Sequence, residues 1–294
     1  MNISRLAVAF LATALLTPLA SAEAVKSPPK FYAYCLEVGA PGIKPRSLAE
    51  QAKLLRELGY DGAGFELWLD DKLEINLKVL DAAGLQAFMF WTSVNVNSAK
   101  GEAFSPQLPQ AIRKLQGRPA TVSVLLTGLK AADPQGMEPA VKALRELGDA
   151  AAEAGVRISI YNHVSNWTES LSFILEVVKK ANHAQVGFNF NLCHWLKVDG
   201  AGDWRPLLRD NASKLFCVTI NGATVGAKDW TNGLIRPLDE GDFDNRQFLA
   251  VLDEIGYRGP VGLMCYGVPG DAREHLARSI KVWRQLHSAE SSAK

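Results

Sequence analysis

Three side chains have the chemistry to move a proton or hold a cation: Glu66, His163 and His194. A carboxylate or a neutral imidazole accepts a proton near neutral pH, and the same groups ligate divalent metals. Each falls at the end of a short apolar run: Glu66 in Gly-Ala-Gly-Phe-Glu-Leu-Trp, His163 in Ile-Tyr-Asn-His and His194 in Phe-Asn-Leu-Cys-His-Trp. Comparable positions carry Glu37, Asn162, Asn191 and Asn221, groups that hydrogen-bond vicinal hydroxyls or an enediolate. Four of the seven tryptophans, Trp68, Trp91, Trp167 and Trp195, stand at or just beyond such run ends, where an indole can cover the apolar face of a pyranose. The set reads as a sugar site. Glu66 or His163 is the expected base, with His194 the partner acid or a ligand. His183, His275 and His287 lie before a run or on the last helical segment and are expected to be structural or solvated.

Chemistry spread from Glu37 to Asn221 needs a scaffold that gathers run ends. After a spacer at 23–30, the chain alternates short β-rich runs with amphipathic segments eight times. The strand candidates are 31–36, 62–67, 86–91, 121–126, 157–161, 186–191, 215–220 and 261–266. They are mostly apolar, as strands buried on both faces should be. Helical patterns cover 47–58, 73–83, 107–115, 138–154, 168–180, 203–211, 244–255 and 272–286. Ser47 with Glu50 forms a capping box, and Gly59, Gly84, Gly155 and Gly256 each follow an apolar stripe, a helix-stop device used four times. Eight βα units without a linker predict an α/β protein of one domain, a (β/α)8 TIM barrel over 31–294, with a doubly wound open sheet as the other arrangement of such a series. In a barrel, run ends converge on one rim, where function resides.

Of the 294 residues, 48% are hydrophobic and 21% charged, the profile of a globular chain. Residues 1–22 read as a signal peptide: Arg5, the apolar run 6–16 and the small-residue site Ala20-Ser21-Ala22. This predicts a periplasmic or secreted protein with no integral membrane segment after cleavage. Export implies an unphosphorylated small-molecule sugar or keto-sugar, because sugar phosphates are mostly kept in the cytosol. The formal net charge is +1, and loss of Arg5 with the leader leaves 31 basic and 31 acidic residues, so nucleic acid is not an expected partner. Cys35, Cys193, Cys217 and Cys265 are too few and scattered for a disulfide framework and read as buried thiols, with a cross-strand pair as the alternative.

The stretches Glu57-Leu58-Gly59-Tyr60-Asp61-Gly62 with Glu66, Val186 to His194, and Pro237-Leu238-Asp239-Glu240-Gly241-Asp242-Phe243-Asp244 followed by Ile255-Gly256-Tyr257-Arg258-Gly259-Pro260-Val261 resemble the sugar phosphate isomerase/epimerase group of the xylose-isomerase-like barrel superfamily. The resemblance implies a divalent metal held by Glu, Asp, His and Glu of the later strands, with two glutamates moving a proton beside a carbonyl. This chain departs at those posts. It has Tyr161, Asn162 and His163 where the first Glu is expected, Asn191 for Asp, Thr219 and Asn221 for a His and an acid, and Met264 and Cys265 for the second Glu. Fewer carboxylates mean weaker binding of a hard dication. A metal on Glu66, His163 and His194 would then be zinc, cobalt or manganese, and a site with no metal is the equal alternative. The expected function is isomerisation, epimerisation or a related elimination or hydration of a sugar. A non-catalytic carbohydrate-binding barrel and a glycoside hydrolase or lyase using Glu37 and Glu66 are the alternatives.

Overall fold

The computed structural model describes residues 28–200 and 202–288. The expected leader, 1–22, and most of the spacer lie outside them. Eight strands form a closed, all-parallel barrel in sequence order: β1 (Phe31–Tyr34), β2 (Gly62–Glu66), β3 (Gln86–Asn95), β4 (Thr121–Thr127), β5 (Arg157–Ile160), β6 (Val186–Asn191), β7 (Leu215–Ile220) and β8 (Val261–Met264), with β8 pairing back onto β1. The α-helices outside it are α1 (Leu48–Leu58), α2 (Lys72–Ala82), α3 (Leu108–Arg113), α4 (Met137–Ala154), α5 (Leu171–Ala181), α6 (Leu192–Val198), α7 (Trp204–Asp210), α8 (Asn245–Glu254) and α9 (Ala272–Ser288). The chain is therefore the single-domain (β/α)8 barrel that its eightfold alternation predicts.

Local chemistry starts and stops these helices as read. Ser47 caps α1 in a reciprocal box with Glu50, and Gly59 ends it at φ +84°, in the left-handed region that a side chain would strain. Gly84, Gly155 and Gly256 share that conformation, at φ +68°, +70° and +72°. Two elements differ from expectation. Strand β3 runs on to Asn95 because Thr92–Asn95 keep pairing with Val124–Thr127, which leaves Trp91 four residues inside the strand. Helix α6 begins directly after β6, capped by the Asn191 side chain, so its apolar run Leu192–Leu196 imitates a continuing strand.

Alternation sorts each strand between helix shell and barrel lumen. Outward residues make the larger core: Phe31 stacks on Trp283 at 4.1 Å, and Phe190 on Phe248 at 5.0 Å. Each such buried ring contributes about 1.5–3 kcal/mol. Inward residues fill the lumen: the Tyr32 hydroxyl lies 3.4 Å from the sulfurs of Met89 and Cys217, and the Ser123 and Ser159 hydroxyls are 2.5 Å apart. Gly64 and Gly262 make room for aromatic rings there. A Cβ on Gly64 would stand 2.8 Å from the Tyr34 ring, and one on Gly262 would stand 2.5 Å from that of Tyr32. The tyrosines are thereby held as the floor beneath the carboxyl ends of the strands. No helix among the described residues is long and apolar enough to cross a membrane.

Candidate active site

A cavity of about 540 Å³ opens at the carboxyl ends of the strands, within the range of about 300–1,000 Å³ usual for small-molecule sites. Tyr34, Trp91, Leu125, Tyr161 and Met264 form its floor, all from strands or their ends. His163 and His194 stand on one wall, Trp230 beside them and Tyr266 with Val38 at the mouth.

The histidines form a pair. Their ring centroids are 4.1 Å apart, and Tyr161 packs against both, at 5.9 Å and 5.7 Å. One residue, Val164, sets both rings. Its carbonyl lies 2.8 Å from His163 Nδ1, which must therefore be the protonated nitrogen. Its N–H donates to His194 Nδ1 at 3.3 Å, so that nitrogen carries a lone pair and the proton of the neutral ring is on Nε2. The two Nε2 atoms, without hydrogen-bond partners among the described residues, thus differ: a lone pair on His163, an N–H on His194. Burial lowers the His163 pKa, while burial and then the neighbouring His163 lower that of His194 well below the ordinary range. Both rings are neutral at pH 7, one a base and the other a hydrogen-bond donor.

Trp91 is the one tryptophan among the four singled out that lines this cavity. Trp68 packs outside the barrel against Phe65 and Phe90. Trp167 is fully buried and donates Nε1–H to the Asp133 carbonyl at 2.8 Å, and Trp195 packs on Phe190. The amides are structural in their contacts. Asn162 exchanges hydrogen bonds with the Asn191 backbone, at 3.1 Å and 2.8 Å. Asn191 donates to the Tyr161 hydroxyl at 2.5 Å and accepts from His194 N–H, anchoring α6 and with it the imidazole of His194. Asn221 donates to the carbonyls of Gly222 and Leu234, which secures the loop carrying Trp230.

The two carboxylates are placed apart from the pair. Glu37 is buried in an ion pair with Arg46, whose backbone N–H also reaches it at 2.6 Å, and it does not line the cavity. Glu66 stays exposed at the end of β2, in register with Trp91, where the carboxylate keeps its hydration. It is near enough to help raise the pKa of the Cys35 thiol, which burial first pushes to about 12. Of the trio Glu66, His163 and His194, the structure brings the two histidines together on the cavity wall and places Glu66 on the rim, outside the lining. Trp230, Tyr34 and Tyr266, which sequence reasoning passed over, complete the walls. Trp230 carries a usable signal, since it follows the seventh strand on the rim that bears function.

The same geometry tests the expected metal. No group of three His, Cys, Asp or Glu side chains suited to a metal ion occurs among the described residues. Of the acidic posts, Asn191 is spent on the Tyr161 hydroxyl and the His194 N–H, Asn221 donates to two carbonyls and keeps only a neutral, buried Oδ1 without a partner, Met264 is apolar, and Cys35 remains a thiol. Two neutral imidazoles are too few donors for a divalent cation. The residues present do not fit one. All four cysteines are unpaired, and three are buried.

Comparison with known proteins agrees with this architecture. A 3-dehydroshikimate dehydratase of Pseudomonas aeruginosa is 29% identical over 258 residues, covering 82% of this chain and 39% of that protein. The chain thus spans less than half the length of that curated relative. A solved 3-keto-D-glucoside 4-epimerase from E. coli superposes with a TM-score of 0.70 at 13% identity, over 87% of this chain and 99% of the other. A solved IolI protein, described as binding a zinc atom, gives 0.67 at 17% identity, over 88% and 98%. These two likenesses show the fold. The model of the xylose isomerase-like TIM barrel family matches residues 52–286, most of the strands and helices described above, and the chain belongs to that family.

Proposed function

We propose that this chain is an enzyme that withdraws a proton from a carbon beside a carbonyl in an unphosphorylated sugar or keto-sugar. The observation that carries this reading is the histidine pair of opposite tautomers locked by Val164 on the cavity wall. His163 Nε2 takes the proton, and the C–H electrons move into the enolate or enediolate. The His194 Nε2–H stabilises the developing oxyanion. Return of the proton to the other face or the neighbouring carbon gives epimerisation or isomerisation. If the carbon beyond bears an oxygen substituent, its C–O bond breaks with its electrons, the His163 imidazolium passes the abstracted proton to the leaving oxygen, and the outcome is elimination. Relatives named as a dehydratase and an epimerase use these related outcomes. The basic leader supports an exported, periplasmic or secreted protein, which N-terminal sequencing of the mature chain tests.

Solvent deuterium incorporation tests the reaction. Ketoses, aldoses and 3-keto-glycosides are incubated with the full chain in D2O. Exchange beside the carbonyl, abolished in His163→Gln, is expected. No exchange with any of these would refute the reading, and saturable binding without exchange would favour a carbohydrate-binding barrel.

A further inference from the structure

Among the described residues, no Lys or Arg lines the cavity that holds the histidine pair. Arg46 is ion-paired with Glu37 and Asp271, and Arg236 with Glu240, while Lys197 is held outside the lining, on the Lys228 carbonyl at 2.5 Å and 5.4 Å from the centre of the Trp230 ring. The histidines are neutral, and the Glu66 carboxylate is near enough to act on Cys35, which lines the cavity. A carboxylate or phosphate entering here would lose hydration and gain no counter-charge from the lining residues. Its binding would be opposed.

The walls point to what would be welcome instead. Aromatic and aliphatic side chains dominate, and two of the four exposed large apolar residues among those described, Val38 and Tyr266, each 47% exposed, meet at this mouth. Apolar surface left open at a cavity mouth marks a place for an apolar ligand part. A volume of about 540 Å³ also exceeds what one pyranose ring fills. From these observations we infer that the substrate is an uncharged glycoside, its keto-sugar ring against the histidines and an apolar aglycone lying between Trp230, Val38 and Tyr266. This rests on the proton-transfer reading for the placement of the sugar ring, while the selectivity for charge and aglycone rests on the lining alone.

Tryptophan fluorescence titration of the full chain separates the two. The probes are the 3-keto derivatives of methyl β-glucoside, phenyl β-glucoside and phenyl β-glucuronide, with 3-dehydroshikimate as a second carboxylate. The phenyl glucoside is expected to bind at least tenfold more tightly than the methyl glucoside, and both carboxylates at least tenfold more weakly than the phenyl glucoside. Val38→Lys, at an exposed position that tolerates a charge, should narrow the gap between phenyl glucoside and phenyl glucuronide. Equal affinity of the phenyl and methyl glucosides would overturn the aglycone assignment. Equal or tighter binding of the carboxylates, or a gap unmoved in Val38→Lys, would overturn the neutral-substrate inference. Deuterium exchange on the same samples reports on the histidine pair separately. A neutral, aryl-preferring site that exchanges nothing would refute the proton transfer and uphold the selectivity.

Discussion

Acid should destabilise this barrel in a window set by His275, and replacing that residue should remove part of the effect. His275 sits on α9 and is 6% exposed. Burial lowers its pKa from 6.5 to about 4, Asp271 opposes the shift, and Arg278 and Arg46 add to it. Arg236, Glu240 and Glu274 line the same small cavity. Between pH 6.5 and 4 the unfolded chain therefore binds a proton at this position and the folded chain does not, so stability falls as pH drops through this range and levels off below it for this group. A shift of that size at about 1.4 kcal/mol per unit corresponds to at most about 3.5 kcal/mol. At about 2 °C per kcal/mol for a domain of this size, the loss in Tm is at most about 7 °C. Carboxylates held down by ion pairs act lower: Glu57, kept near 2 by Lys53 and Arg273, loses its contribution only as pH falls from 4.5 towards 2. The windows are separable. The assay is Tm against pH for the unaltered chain and His275→Leu. Packing differences offset the whole curve, while His163 and His194 contribute alike to both proteins. The slope between pH 6.5 and 4 should be shallower in the variant, and parallel curves across that range would refute the reasoning.

Glu66→Gln should lower kcat less than tenfold, because the carboxylate is exposed at the rim and not on the wall with the histidines; steady-state kinetics giving a hundredfold loss would restore it as the base. Gly64→Ala should destabilise by about 1–3 kcal/mol in denaturant unfolding, since the new Cβ would meet the Tyr34 ring at 2.8 Å and the Met89 carbonyl at 3.1 Å.

Fold was legible in the sequence because barrel building is local. Each βα unit announces itself by a run of apolar residues, a stripe and a stop, and the left-handed glycines at 59, 84, 155 and 256 punctuate four of them. Strand β3 extends past its expected end, since Thr92–Asn95 find a partner strand, and the short helix α6, started by the Asn191 cap directly after β6, has no counterpart among the expected helical patterns. Site residues were legible by position and not by direction. His163 and His194 end their runs and do meet. Glu37 ends its run too, but Arg46 nine residues on claims it, an ion pair that spacing does not reveal. Trp68 and Trp167 share rim positions with Trp91 and turn outward or into the shell, because neighbouring Phe65, Phe90 and Phe173 offer them apolar surface. The opposed tautomers depend on one residue, Val164, whose carbonyl and N–H reach two rings 31 positions apart in sequence. No residue pattern encodes that.

The most direct measurement is the protonation of the two rings themselves. Long-range 15N–1H correlation spectra of histidine-labelled protein, assigned with single His→Gln variants and followed from pH 8 to 5.5, report each tautomer. His163 should show the Nδ1–H form and His194 the Nε2–H form, both neutral at pH 7 and His194 still neutral at the acid end. A shared tautomer, or an imidazolium on either ring at pH 7, would contradict the base-and-acid pair on which the function rests.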